Sequence, residues 1–135
     1  MSEDAKPRWS VAPYFIVDDV QASADWYRDK LGFAYPRLWG EPPYGFTMVS
    51  RAGVTLMLGA VGAPGFIQPN RTAGQDSDAW DAYLWIDDAD ALHAEFLAKG
   101  VAIARPPCDQ PYGCRDFEIH DCNGYRLCFG HNLDT

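Results

Sequence analysis

An internal repeat constrains the fold of this chain more than any other feature of its sequence. Residues 17–33 and 86–102 follow one plan, in which a branched residue ends an apolar segment, two aspartates follow, and an amphipathic helical pattern runs on to a glycine. Because a repeated pattern of this length marks a repeated supersecondary unit, the sequence predicts two copies of one module.

Both copies carry signals for the start and the end of a helix. Asp19 or Ser23 can cap the first helix, and Asp88 or Asp90 can cap the second, since short polar side chains accept hydrogen bonds from the free N–H groups there. The glycine that closes each copy suits the left-handed conformation in which helices often end.

Short apolar segments surround each predicted helix and are interpreted as strands, because they are rich in β-branched and aromatic residues. The strands before the helices are VAPYFIV and DAYLWI, and those after them are FAYPRLW, YGFTMVS and GVTLMLG in the first half and VAIAR, RDFEIH and GYRLCF in the second. The predicted class is α+β, a single domain at 1–135 with βαβββ modules at about 9–60 and 79–131 and a linker at 61–78, rich in glycine and proline.

The charge balance argues against several kinds of partner. Eleven Lys and Arg face nineteen Asp and Glu, a formal net charge of −8, which repels nucleic acids and anionic lipids and attracts a small cation. The long uncharged run at 54–69 is broken by glycine and proline, so it predicts no membrane span, and the N-terminus has no apolar signal core. We therefore expect a cytoplasmic protein.

The stretch from 110 to 129 is dense in potential metal ligands, with His120 and three of the four cysteines. The cysteines form no CxxC motif, so reduced and unpaired thiols are expected. Asn123 and Gly124 predict a two-residue hairpin turn between two strands, which favours a turn over a metal site. His93 is placed on the polar face of the second helix and His131 in the tail.

The two-module plan, with VDDVQASADWYRDKLGF early and PYGCRDFEIHDCNGYRLCF late, resembles the vicinal oxygen chelate superfamily of glyoxalases, extradiol dioxygenases and bleomycin-resistance proteins. The resemblance covers nearly the whole chain. It implies two paired modules whose mixed sheets curl into a cup, with the helices outside and a ligand cavity inside.

Metal-using members of that superfamily hold the ion with His, Gln or Glu at four inward-facing strand positions. The matching positions here are Ala12, Met57, Asp81 and Cys128. Since Ala and Met offer zinc or iron no useful donor, the resemblance implies a protein without a metal or other cofactor.

Strand alternation predicts which side chains line the cup. If Ala12 and Asp81 point inward, Tyr14, Tyr83 and Trp85 share that face, as does Arg126 on the last strand. Their outward neighbours pack under the helices. Whether these aromatic rings fill the cup or contact a ligand, we expect Tyr83 and Trp85 to be buried.

Bleomycin-resistance proteins offer the nearest resemblance among metal-free members. Pro13 stands where those proteins carry a proline linked with an N-terminal strand exchanged between subunits. The segment QPYGCRDF resembles their Gln-Pro-Trp-Gly-Arg-Glu-Phe, with Tyr112 at the drug-stacking tryptophan, an additional Cys114, and Phe117 at the closing phenylalanine. The loop PPYGF offers a second aromatic ring, which in the family comes from the partner subunit.

The resulting hypothesis is a homodimer that binds and sequesters an aromatic, cationic small molecule such as bleomycin without a metal. The predicted ligand-binding residues are Tyr14, Tyr44, Phe46, Tyr83, Trp85, Tyr112, Phe117 and Arg126. An alternative is a lyase, isomerase or oxygenase of the same superfamily, with Asp81, Cys128 and Arg126 as inward acid-base candidates. A third is a regulatory role with no small ligand, the cup being filled by its own side chains.

Overall fold

The computed structural model describes residues 8–62, 65–70 and 79–134, and in them it confirms two βαβββ modules. The first module contains β1 (Tyr14–Ile16), α1 (Val20–Leu31), β2 (Leu38–Trp39), β3 (Phe46–Arg51) and β4 (Val54–Gly59). The second contains β5 (Ala82–Trp85), α2 (Ala89–Ala98), β6 (Ile103–Asp109), β7 (Cys114–His120) and β8 (Arg126–Asn132).

Each module forms a four-stranded mixed sheet with the same order of strands. The orders are β1-β4-β3-β2 and β5-β8-β7-β6, so the first and last strands of each module run parallel and the other pairs run antiparallel. Tyr14 lies opposite Met57 in the first sheet, and Tyr83 lies opposite Cys128 in the second. The sequence repeat is therefore also a repeat of strand register.

The helices begin and end where the sequence predicts. Asp19 Oδ1 accepts a hydrogen bond from Ala22 N at 2.9 Å, and Asp88 Oδ1 accepts one from Ala91 N at 3.1 Å. Of the alternatives for each helix, these two aspartates are the caps. Gly32, with φ of 72°, ends α1 in the left-handed conformation that glycine adopts without strain.

The core lies between the sheets and the helices, and it contains the outward-facing strand residues that alternation predicts. Both helices contribute large side chains, notably Tyr27 and Leu31 of α1 and Phe96 of α2. The buried strand positions are Phe15, Leu56 and Leu58 in the first sheet and Leu84, Leu127 and Phe129 in the second.

The modules meet through their helix sides. Phe15 stacks on Tyr125 with ring centroids 4.5 Å apart, and the Tyr125 hydroxyl group donates to the Ile16 carbonyl at 2.6 Å. On the surface, Arg51 forms a two-point ion pair with Glu95 of α2, at 2.8 and 3.0 Å. The concave face of each sheet points away from these contacts.

The turn between β7 and β8 differs from the predicted two-residue hairpin. It spans residues 121–125, and Gly124 is its one residue with positive φ, whereas the predicted turn requires two. Asp121 is buried and organises the turn: its Oδ1 accepts from the backbone of Asn123 and Tyr125, and its Oδ2 accepts from the Tyr27 hydroxyl group at 2.5 Å. This carboxylate thereby ties the turn to α1.

Three other predictions of secondary structure need correction. In the segment FAYPRLW, strand β2 covers only Leu38–Trp39. Strand β6 extends past the predicted segment through Pro106 and Pro107, which an edge strand tolerates because its outer N–H groups need no partner. His131 lies within β8, where its Nδ1 accepts from Ala89 N at 3.0 Å at the start of α2.

The predicted linker at 61–78 lies partly outside the described residues. Its described part contacts both modules: Gly65 N donates to Asp18, and Asn70 N donates to Asp81 Oδ1 at 2.7 Å. Among the described residues, no helix is both long and apolar enough to cross a membrane.

Candidate functional site

The concave face of the second sheet carries a group of polar side chains that meet around one buried carboxylate. Alternation along β7 turns Asp116 and Glu118 to this face and sends Phe117 and Ile119 into the core. Both acidic side chains are buried, so each needs partners on the same face.

Asp116 accepts hydrogen bonds from four side chains. Its Oδ1 accepts from Arg105 Nη2 at 2.5 Å and from Gln110 Nε2 at 3.1 Å. Its Oδ2 accepts from the hydroxyl groups of Tyr112 at 2.5 Å and Tyr83 at 3.0 Å. The carboxylate thus connects β5, β6, β7 and the loop before β7, and it fixes the positions of two aromatic rings.

Glu118 pairs with two arginines on the same face. Its Oε1 accepts from Arg126 Nη1 at 3.1 Å, and its Oε2 accepts from Arg105 Nη2 at 3.3 Å. We call Arg105, Asp116, Glu118 and Arg126 the charge cluster. Two positive and two negative groups balance within it, although the chain as a whole is strongly acidic.

These contacts fix the protonation states of Asp116 and of the two tyrosines bonded to it. Burial by itself raises the pKa of the Asp116 carboxyl group, but hydrogen bonds from Tyr112, Arg105 and Tyr83 more than offset it and leave the pKa below its ordinary value. Burial, and then the bond to Asp116, raises the pKa of both tyrosine hydroxyl groups well above the usual range. At neutral pH the carboxylate is therefore ionised and both tyrosines keep their protons.

An open cavity of about 820 Å³ lies over the charge cluster. The sulfur of Cys108 lies on its wall, held by N–H donors of Arg105 at 3.0 Å and Gln110 at 3.2 Å. The cavity is lined by Ala79, Trp80, Ala104, Arg105, Cys108, Gln110, Tyr112, Glu118 and Arg126. Its volume falls within the range typical of small-molecule sites.

Two aromatic rings, Trp80 and Tyr112, line this cavity, and two more rings lie beside Trp80. Along β5 the ring of Tyr83 lies between those of Trp80 and Trp85, at centroid distances of 5.3 and 4.8 Å. More than half of the surface of Trp85 and of Tyr112 is exposed, 59% and 53%. Flat apolar surface beside a polar wall suits a ligand that combines a planar ring system with polar groups.

A tyrosine covers a glycine at the same place in each sheet. The Tyr14 side chain occupies the space where a side chain at Gly59 would begin, and Tyr83 does the same at Gly130. The two pairs differ in their surroundings, because Tyr83 is bonded to Asp116 whereas Tyr14 is half exposed. These glycines allow the rings to lie flat against the sheets.

The concave face of the first sheet is aromatic. Tyr14 stacks on Phe46 with centroids 6.1 Å apart, Trp39 meets Phe46 edge-on at 5.4 Å, and the Arg37 guanidinium group lies 4.8 Å from the centre of the Trp39 ring. Tyr44 lies apart from them, in a cavity of about 400 Å³ beside the start of α1.

Comparison with known proteins gives the family. The family model of the Glyoxalase/Bleomycin resistance protein/Dioxygenase superfamily matches residues 11–129. The chain belongs to this superfamily. A comparison with curated proteins gave no match.

Several solved structures share the fold. TioX from Micromonospora sp. ML1 has a TM-score of 0.70 at 20% identity, covering 93% of this chain and all of its own. A glyoxalase-related enzyme from Clostridium phytofermentans has a TM-score of 0.73 at 16% identity, and the match covers 96% of this chain and 99% of that one. A superfamily member from Sphaerobacter thermophilus DSM 20745 has a TM-score of 0.68 at 22% identity, and the match covers 93% of this chain and 98% of that one. At these identities the likeness supports the fold and no finer statement.

At the four positions where metal-using superfamily members hold the ion, this chain has side chains that do not fit a metal. Asp81 already has other partners. Its Oδ2 accepts from the backbone N–H of Arg126 at 2.8 Å, and its Oδ1 accepts from that of Asn70 at 2.7 Å. The carboxylate therefore joins the start of β5 to β8 and to the segment before it.

The other three positions fit a metal no better. Cys128 is fully buried, and burial together with the charges of Asp116 and Glu118 raises the pKa of its thiol well above the usual range, whereas metals bind the thiolate. Met57 and Ala12 add no oxygen or nitrogen donor. Within the part of the chain that the structure describes, no three His, Cys, Asp or Glu side chains converge in a metal-binding arrangement.

The structure places the predicted site residues in four groups, one of which is Tyr44 alone in its separate cavity. Tyr83, Trp85, Tyr112 and Arg126 gather on the concave face of the second sheet, and Tyr14 and Phe46 lie on that of the first. Phe117 is instead buried under α2, stacked on Phe129 with centroids 5.4 Å apart, so it faces away from any ligand on the concave side. Placing it in the site was wrong because it alternates with Asp116 along β7.

The expected burial of Trp85 was also wrong. Its indole ring is exposed because the modules meet through their helix sides, which leaves the concave face open in this chain. The predicted filling of the cup by its own side chains is not observed over the second sheet, where the large cavity lies.

Sequence reasoning overlooked the main polar residues of the site, Asp116, Glu118, Arg105 and Gln110. A signal for the acidic pair was present, since Asp116 and Glu118 alternate with Phe117 and Ile119 in a strand that must be buried on one side. Two acids with this spacing lie on one face and require positive partners there. Arg105 gave no such signal, because it lay at the end of a strand predicted too short.

Proposed function

We propose that this superfamily member is a metal-independent binding protein that holds a planar aromatic small molecule on the concave face of its second sheet and acts as a homodimer. The observation that carries the proposal is the cavity over the charge cluster, which Trp80 and Tyr112 line. The rings of Tyr83 and Trp85 continue from Trp80 along the same face. Its charged side chains are paired with one another, an arrangement that suits a rigid binding wall better than proton transfer.

The exposed rings provide the stacking surface in this proposal. Stacking of two aromatic rings contributes about 0.5–1.5 kcal/mol beyond the burial of their area. The bond from Tyr112 to Asp116 fixes the ring before the ligand arrives, which lowers the entropy lost on binding. The resemblance of residues 110–117 to bleomycin-resistance proteins makes bleomycin the first ligand to test, and the net charge of −8 favours the approach of its cationic groups.

Titration with bleomycin is expected to quench the tryptophan fluorescence of the purified protein, because Trp80 lines the cavity of the proposed site. Substituting Tyr112→Ala should weaken binding about fivefold or more by removing one stacking surface. Tyr112→Phe keeps the ring and is the matched control, expected to retain most of the affinity. Equal affinity of Tyr112→Ala and wild type for every planar ligand that binds would refute the stacking role.

The homodimer rests on apolar surface near the N-terminus. Trp9 is fully exposed and Val11 nearly so, and they precede Pro13 at the free edge of the first sheet. Two adjacent exposed apolar residues of this size mark an interaction surface. We place them against a second copy of the chain, in keeping with a strand exchanged between subunits near Pro13.

Sedimentation of the wild-type protein is expected to give the mass of two chains. The double substitution Trp9→Ser and Val11→Ser should raise the dimer dissociation constant at least tenfold, since it removes buried apolar area from the interface. Leu97→Ser changes an equally apolar, exposed residue on α2 and should leave the dimer intact. A monomeric wild type would refute this arrangement.

A further inference from the structure

The cavity wall contains several hydrogen-bond donors. Both oxygens of Asp116 are occupied by two donors each. A guanidinium group has five N–H bonds and no acceptor, and the wall holds two such groups, Arg105 and Arg126. An arginine N–H group of the wall that has no partner in the protein can therefore donate to a ligand.

Arg126 shows this surplus most directly. Its Nη1 donates to Glu118 and its Nη2 lies 3.4 Å from His120 Nε2, but its buried Nε has no hydrogen-bond partner among the described residues. An unpaired buried N–H group is costly, so native proteins rarely leave one without a partner. A ligand that supplied an acceptor would remove this cost on binding.

The chemistry of the missing acceptor follows from the charge balance around it. The charge cluster is neutral in sum, with one carboxylate for each arginine, and the chain beyond it is acidic. A full negative charge added by a ligand would face Glu118 and Asp116, whereas a neutral carbonyl oxygen accepts the N–H bond without that repulsion.

We propose that the ligand carries a neutral acceptor oxygen on its planar ring system, a ring carbonyl group, and that Arg126 binds this oxygen. This inference rests on the proposed binding function and specifies the ligand class for the same cavity. The guanidinium group is a rigid fork whose side chain remains 16% exposed on the cavity wall. Because Nε is buried in the structure, binding in this proposal includes a rotation of the side chain that presents Nε to the oxygen.

A pair of ligands that differ in one carbonyl group tests this directly. 9-Fluorenone and fluorene share a flat three-ring frame. Burial alone favours the binding of fluorene, because the carbonyl oxygen of fluorenone loses its hydration when it is buried. We expect the wild type nevertheless to bind fluorenone about tenfold more tightly, as measured by equilibrium dialysis and tryptophan quenching.

Arg126→Lys is the decisive variant, since it keeps a positive charge beside Glu118 and removes the Nε–H donor. It should bind both ligands with similar affinity. Arg115→Lys makes the same change on the helix side of β7, where Arg115 pairs with Asp90 and Asp109, and should keep the preference for fluorenone. Circular dichroism of each variant establishes that it folds.

The outcomes separate the inference from the function on which it rests. Equal binding of the two ligands by the wild type, or a preference that survives Arg126→Lys, overturns the role of Arg126 and leaves the binding function standing. If neither ligand binds, both the inference and the planar-ligand function are overturned.

Discussion

Replacing Asp116 with alanine is expected to lower the free energy of unfolding by about 3–5 kcal/mol, the range for removing one partner from a buried ion pair. The carboxylate is completely buried and accepts hydrogen bonds from Arg105, Gln110, Tyr83 and Tyr112. Alanine would leave all four donors without this acceptor and the Arg105 charge opposed only by Glu118. Urea unfolding followed by circular dichroism measures the loss.

Asp109→Ala is the matched control for this prediction. Asp109 also pairs with an arginine of the second sheet, Arg115, but its side chain is 63% exposed. Exposed ion pairs contribute about 0–1 kcal/mol, so this variant should unfold nearly like the wild type. Similar small losses from both substitutions would contradict the central place of Asp116 in the charge cluster.

The same carboxylate gives the stability a defined pH dependence. Because the pKa of Asp116 is lower in the folded state than in the unfolded chain, its stabilisation is complete above the unfolded-state pKa of about 3.9. The stabilisation is lost as the pH falls through the lower folded-state pKa. The stability difference between wild type and Asp116→Asn should therefore stay constant from about pH 7 to 5 and shrink below about pH 4.

Adding a methyl group at Gly130 is the second substitution with a large expected effect. The new Cβ atom would overlap the Tyr83 hydroxyl group and lie 2.7 Å from the Asp116 Cβ atom, which the backbone of β7 holds in place. Gly130→Ala should therefore cost about 2–3 kcal/mol through overpacking and displace Tyr83 from its bond to Asp116. Thermal unfolding and tryptophan fluorescence together report both effects.

Gly59→Ala is the internal control that the repeat supplies. A Cβ atom there would meet the Tyr14 side chain alone, and Tyr14 is half exposed and able to swing into solvent. Its cost should stay below about 1 kcal/mol. In the double variant Gly130→Ala, Tyr83→Phe, loss of the hydroxyl group should recover part of the stability. No recovery would show that the loss of stability comes from the clash with Asp116 rather than from the clash with Tyr83.

Much of the fold follows from local sequence signals. Two such signals are the aspartates that cap α1 and α2 and the alternation of Phe15 and Leu84 with inward-facing neighbours. Each depends on a few adjacent residues, and the structure confirms both. The turn at 121–125 did not follow, because its form is set by the buried bond between Asp121 and Tyr27, which are 94 residues apart. Local propensity has no information on such a contact.

The site was predicted less fully, for a related reason. Alternation placed Tyr83, Trp85 and Arg126 on one face, but the exposure of Trp85 depends on how the modules pack against each other. The role of Arg105 depends on β6 continuing through two prolines to bring Cys108 and Asp109 alongside β7. Partners from separate strands become visible only when the strand register is known.

Pro106 and Pro107 also govern how the sheets of this protein can be extended. A proline has no N–H group, and successive N–H groups of a strand point to opposite edges, so one of these two prolines removes a donor from the outer edge of β6. Neither β1 nor β5, at the opposite edges of the two sheets, contains a proline. Any backbone pairing with another polypeptide, in ordered assembly or in aggregation, is thereby directed away from the β6 edge and toward the other edge strands, β1, β2 and β5.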